Sequence, residues 1–272
     1  MGTLETWRVL ADGNPDDVVL AVDFDATGRA EGRFADLVKG LDGSFTVWES
    51  IPQAVSTELG ASGDAYLDTW LNEVRASGRT VRGVLGFCIG GTYAGALADR
   101  IAAEQARPAT LLFDPELSTP LTLYAQYHRV IDSMAAVLTP EEAEAAKEAG
   151  RTAHERDAGI AALAADLLNA YQATAKPAFE RFELDGERIT ELTATFTSFV
   201  AYLVGAAGLD PLPAWNQSVV LTSSSPTSGL NGARSVGQDI TVGRELRLAT
   251  PHVDLLRDTE VAHTVSELLA SA

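Results

Sequence analysis

Gly86-Phe87-Cys88-Ile89-Gly90-Gly91 joins an apolar run, residues 80–87, to an Ala-rich stretch, 92–104, with helical periodicity. A cysteine in a sharp strand-to-helix turn is a nucleophile elbow with Cys where Ser is usual. Small flanking residues let the backbone double back and raise the thiol above the sheet. The positive end of the following helix is then expected to lower the thiol pKa and favour the thiolate. The Ile89 amide is placed to donate to an oxyanion. Isolated cysteines are more often small buried hydrophobes; the strand–turn–helix context shifts the reading of Cys88 toward catalysis.

A thiol nucleophile needs a base. Of the four histidines, His252 alone lies between an apparent last strand and a last helix. His128 and His154 fall in a helical middle region and His263 inside the terminal helix, where packing or surface roles are simpler. For the acid that orients the base, Asp114 in Leu111-Leu-Phe-Asp-Pro-Glu116 stands at the carboxyl end of a strand, where catalytic groups collect. The competing reading is a turn-forming Asp before Pro, and Glu116 is the nearest substitute. The second oxyanion donor is expected in the loop after the first strand, around Asp25, Ala26 and Thr27, with Ala26 the chosen residue. Asp23 and Asp25 are odd there, because negative charge opposes an oxyanion; pointing to solvent or capping a turn would explain them.

The elements that must position these groups alternate. Strands are expected at 18–22, 45–48, 80–87 and 109–113, with helices at 33–41, 64–76 and 92–104. Alternation with apolar strands implies a mostly parallel sheet flanked by helices. From 117 to 215 strand signals vanish. Three helices are expected there, at 117–138, at 140–173 with a break near Gly150 or Gly159, and at 176–204. Glu141, Glu142 and Glu144 suit a helix start. The sheet resumes at 218–222; 223–237 is rich in Ser and Gly and reads as a flexible loop. A strand at 245–249 and a helix at 259–270 close the chain. The expectation is an α/β core, 1–116 and 216–272, carrying a helical lid insertion, 117–215.

The 272 residues suit one α/β domain with an insertion. A formal net charge of −18 argues against a nucleic-acid partner and against capture by anionic membranes. No stretch approaches about 18 consecutive apolar residues, and the N-terminus lacks the pattern of a secretory signal. Met1-Gly2 with Thr6 matches a myristoylation pattern formally, with nothing else pointing to an anchor. One cysteine rules out an internal disulfide and a cysteine-rich metal site, and fits a reducing cytoplasm. No metal and no cofactor is expected.

Taken in order, the elbow nucleophile, an Asp after the next strand, a helical insertion, and a His before a terminal helix resemble the α/β-hydrolase thioesterases of nonribosomal peptide and polyketide synthesis. The resemblance spans residues 18–269. It implies the α/β-hydrolase fold, with Cys88 as nucleophile, Asp114 as orienting acid and His252 as base. It implies acyl transfer from the phosphopantetheine arm of an acyl or peptidyl carrier protein, which enters only as substrate. Hydrolysis, cyclisation or transfer to a small acceptor would follow. Three departures stand out: Cys for Ser, Asp23-Phe-Asp-Ala-Thr-Gly28 in place of a Pro- or Gly-rich loop, and Ala249-Thr-Pro251 before the His. A thioester intermediate would favour aminolysis. Phe87, Tyr124, Tyr127 and Phe196 are candidates for contact with the acyl chain, although core packing explains such rings as well. Carriers are usually acidic, so a basic patch including Arg29, Arg33 or Arg129 would have to dock one.

Two other readings follow from the same residues. Dienelactone-hydrolase-like enzymes share Cys between glycines but take their acid from a later strand, and 222–225 offers no carboxylate. A non-catalytic acyl-binding relic of the fold is the other. Alkylation of a true elbow thiol well below pH 8 would separate it from an inert one.

Overall fold

The computed structural model describes residues 4–25 and 29–271. In chain order its elements begin with β1 (Trp7–Ala11), β2 (Asp17–Val22), α1 (Phe34–Lys39), β3 (Val47–Ser50), α2 (Pro52–Val55) and α3 (Gly63–Ser77). Then come β4 (Thr80–Phe87), α4 (Gly90–Ala102), β5 (Ala109–Phe113), α5 (Pro120–Ser133), α6 (Pro140–Glu155), α7 (Ile160–Arg181) and α8 (Gly186–Ala207). The chain closes with α9 (Leu212–Trp215), β6 (Val219–Thr222), α10 (Gly229–Ser235), β7 (Arg244–Arg247) and α11 (Thr259–Ala270). Two compact units result: residues up to Val55, Gly63–Glu116 and Leu209 onward form one, and Ser56–Ser62 with Leu117–Gly208 the other.

The first unit is built on a seven-stranded sheet of order β1-β3-β2-β4-β5-β6-β7. Every pairing is parallel except β1 with β3, an edge strand the apolar pattern does not announce. Val18 to Val22 are all buried, as a central parallel strand covered on both faces requires. On one face Val19, Ala21, Leu85, Phe87, Leu111, Phe113 and Leu221 pack under Phe34 and Leu37 of α1 and Val261, Val265 and Leu269 of α11. β4 is central, so whatever follows Phe87 is held between the ends of β2 and β5.

The segment expected as a flexible loop, 223–237, contains α10. Its Leu230 is buried, Asn231 donates to the carbonyls of Ser223 and Ser225, and Arg234 pairs with Glu245 of β7. Tertiary packing overrides the Ser/Gly composition here.

The second unit holds four helices rather than three. Thr139 and Glu142 form a capping box at the start of α6, whose first turn carries Glu141. The break falls before Gly159, which adopts φ +82, while Gly150 lies inside α6 against Tyr127. The boundary expected at 174–175 is corrected: α7 runs through Pro177 to Arg181, carried by buried Ala175, Ala178 and Phe179. It stops where Glu183 takes φ +55 and the Leu184 amide returns to the Phe179 carbonyl at 3.1 Å. Helix α8 has the length and apolar composition of a membrane span, and 44% of its most apolar window is buried inside the structure.

Candidate active site

Cys88 adopts φ +51, a conformation costly for any residue with a Cβ, between the last residue of β4 and the first turn of α4. Its amide donates to the Phe113 carbonyl at 3.0 Å. Its carbonyl accepts from Gly91 at 3.0 Å and Glu116 at 3.1 Å, so both neighbouring strand ends pin the turn. Gly90 is obligatory by close approach, because a Cβ there would collide with the Val22 carbonyl at the end of β2. Cys88 is partly exposed and Ile89 buried.

His252 begins a short 3₁₀ turn after β7 and is largely buried. Its Nδ1 lies 2.8 Å from Oδ2 of Asp114, which is fully buried and adopts φ +41 beyond β5. That bond leaves Nε2 free for proton transfer. The His252 ring stacks on Phe87, the residue before the nucleophile, with centroids 4.9 Å apart. Three groups that sequence reasoning did not single out complete the support. The Ser223 amide donates to the second Asp114 oxygen at 2.9 Å, and Ser225 Oγ accepts from the His252 amide at 2.9 Å. Gly229, at φ +52, presses so close that a Cβ would lie 2.6 Å from Asp114 Cα. The only sequence signal for them was the serine run after β6.

The expected lowering of the thiol pKa is corrected. Burial pushes the Cys88 thiol well above its ordinary range, and the Glu116 and Asp23 charges push it further. The Ile89 amide opposes them but is outweighed. The helix terminus beside Cys88 acts against two nearby carboxylates, and desolvation of the anion decides the sign. Glu116 accepts from the Gly229 amide at 3.3 Å and does not substitute for Asp114 beside His252.

Asp23 and Asp25 do not point to solvent. Asp23 is buried, pairs with Arg29 at 2.6 Å and accepts from the Phe24 amide at 2.7 Å through its other oxygen. Asp25 pairs with Arg8 at 2.6 Å and Arg33 at 3.2 Å, and Arg8 also binds the buried Glu49 of β3. Burial raises Asp23, against the pull of Arg29, and lifts Glu49 to about 7, against the pull of Arg8. Arg29 also lies over the Phe87 ring, 5.4 Å from its centroid. Arg29 and Arg33 are therefore consumed by acids and do not form a free basic patch; Arg129 is exposed. Ala26, the expected second oxyanion donor, and Thr27 lie outside the described residues.

Tyr124, Tyr127 and Phe196 belong to the second unit. There Tyr127 and Phe196 are buried, Tyr127 donates to the Ala146 carbonyl, and Tyr124 stacks on His154. His263 is exposed, its Nδ1 2.9 Å from Asp42. Among the described residues no three His, Cys, Asp or Glu side chains gather as a metal site.

No protein-family model and no curated sequence matches the chain. Solved structures do. The Vlm2 thioesterase domain, with genetically encoded 2,3-diaminopropionic acid and bound with a dodecadepsipeptide, is 14% identical with a TM-score of 0.51, over 98% of this chain and 97% of that one. A membrane phospholipase A described as a bacterial virulence factor is 13% identical with a TM-score of 0.54, over 97% and 82%. An acetylester hydrolase from Corynebacterium glutamicum is 11% identical with a TM-score of 0.51, over 97% and 89%. At such identities the likeness establishes the fold, which is the α/β-hydrolase fold.

Proposed function

We propose that the protein is a thioesterase-like acyl-transfer enzyme in which Cys88 takes an acyl or peptidyl chain from a carrier-protein thioester. The observation that carries this reading is the buried His252–Asp114 pair, 2.8 Å apart, whose imidazole stacks on Phe87, the residue before a cysteine at φ +51 between β4 and α4. In the first half-reaction His252 Nε2 accepts the Cys88 proton as sulfur attacks the acyl carbon. The bond to the carrier sulfur breaks, and that sulfur leaves with the proton from His252. Asp114 holds the imidazole in the tautomer with Nδ1 protonated and steadies it while it is charged. The Ile89 amide serves the oxyanion. The raised thiol pKa means that sulfur and proton part only as attack proceeds, rather than from a standing thiolate.

Intact-mass measurement after incubation with acyl-N-acetylcysteamine thioesters of graded chain length tests the reading. A mass gain equal to the acyl group, absent in Cys88→Ala, is the expected result. The raised thiol pKa also favours a second reading, a non-catalytic acyl-binding protein. That reading expects saturable binding of the same thioesters with no adduct and no thiol release, and such an outcome overturns the first.

A further inference from the structure

Ser223 and Ser225 hold the two members of the Asp114–His252 pair from one stretch of backbone. The Ser223 amide donates to Asp114 Oδ1 at 2.9 Å, and Ser225 Oγ accepts from the His252 amide at 2.9 Å. Both serines lie between β6 and α10, in neither helix nor strand, so their own secondary structure does not fix them. Asn231 of α10 does. Its Nδ2 donates to the Ser223 carbonyl at 3.0 Å and to the Ser225 carbonyl at 3.1 Å, so both protons of one NH2 group go to these two residues. The direction of the side-chain amide is set from its other end, where Arg234 donates to Oδ1 at 3.3 Å. Arg234 in turn binds both oxygens of Glu245 at 2.9 Å, and Thr222 Oγ1 of β6 donates to that carboxylate at 2.9 Å. The chain of bonds starts on the sheet and ends on the pair, and Asn231 is the link that grips both serines.

We infer that Asn231 is a positioning residue for acylation: by holding the Ser223 and Ser225 carbonyls it keeps the Asp114 carboxylate and the His252 imidazole in register. The inference rests on the proposed role of that pair toward Cys88. Asn231 acts through the backbone that holds the pair, not on the reacting atoms. A change that preserves shape separates the two jobs of its side chain. Asn231→Asp keeps the acceptor that Arg234 uses. It replaces the two donors with a carboxylate oxygen, which faces two carbonyl oxygens and leaves both without their partner. The link to the helix survives, and the grip on the loop is lost.

The test follows nitrophenolate release from p-nitrophenyl acetate, as a measure of acylation, across donor concentrations. Wild type, Asn231→Asp, Asp114→Asn and the double variant are compared. Expected for Asn231→Asp is a maximal acylation rate lower by roughly 10- to 100-fold, the scale of a misplacement of up to about 1 Å, with the half-saturating concentration unchanged within about twofold. In the Asp114→Asn background the same change should cost less than about twofold, because the bond it aligns is already disabled. Losses that multiply overturn the inference. So does a wild-type rate in Asn231→Asp, with or without lower stability in urea, since that is what a purely structural role gives. Asn231→Ala removes the donors without adding a charge; it should lose rate in the same direction and carries the comparison if the aspartate variant does not fold. The His252 Nδ1 proton, followed by NMR, gives a readout that needs no turnover. Its resonance is expected to broaden by exchange with water in both Asn231 variants, and a resonance unchanged by either overturns the inference. A wild type that releases no nitrophenolate overturns the nucleophile assignment and leaves the NMR comparison to decide the role of Asn231.

Discussion

β4 is flanked by β2 and β5, and each flanking strand runs into a buried aspartate, Asp23 on one side and Asp114 on the other. The residue type and the place in the fold are the same, yet the partners differ. Asp114 meets an imidazole and a backbone amide from distant loops, whereas Asp23 meets a guanidinium and its own neighbour's amide. An imidazole can exchange a proton near neutral pH, and a guanidinium cannot. The first pair can therefore take part in proton transfer, while the second is a fixed charge pair beyond β2 that burdens the thiol. The side of β4 on which a carboxylate stands matters less than what it is bound to.

The largest expected contrast is in rate. Asp114→Asn keeps the shape but releases the imidazole tautomer, and thioester acylation should fall by about 10⁴-fold. Asp23→Asn should show no such fall in the same stopped-flow trace. A similar fall in both would erase the distinction. In urea denaturation the order reverses: Asp23→Asn strands the mostly buried Arg29 and should cost about 3–5 kcal/mol, more than Asp114→Asn.

A smaller effect comes from Glu49, the buried acid next to this cluster. Its folded pKa of about 7 lies above its unfolded value of 4.5, so between those values the native state binds more protons. Stability should therefore decline as pH rises from about 4.5 to 7, by up to about 3 kcal/mol from this group. Glu49→Gln should flatten that slope in urea titrations at pH 5 and pH 7.5; an unchanged slope would remove Glu49 from the account. The smallest effect is on Cys88 alkylation by iodoacetamide, which should be slow at pH 8 and rise only in alkaline solution. Asp23→Asn should speed it several-fold at pH 8 and Asp114→Asn should not.

Much of this architecture was legible in the residues. The apolar runs of β2, β4 and β5 located the strand ends at which Cys88, Asp23 and Asp114 stand, because buried parallel strands leave no room for polar residues until they end. The edge strand β1 was not legible, since Trp7–Ala11 is half exposed and mixed in character. Helix α10 was hidden because its stability comes from contacts with Ser223, Ser225 and Glu245, not from its own composition. The sign of the thiol shift was missed for a related reason. The helix N-terminus follows the cysteine directly in sequence, whereas burial of the thiol and the Glu116 charge come from residues brought near only by the turn beyond β5, where the Glu116 amide meets the Cys88 carbonyl.

The Asp114–His252 bond joins groups 138 residues apart. At ordinary synthesis speeds the ribosome adds His252 on the order of ten seconds after Asp114. Throughout that interval Asp114 exists without its imidazole partner, and a chain terminated before His252 lacks the pair altogether. Under the proposed triad, competence would wait for the turn after β7 that carries His252, so the order of synthesis would set when the site is assembled.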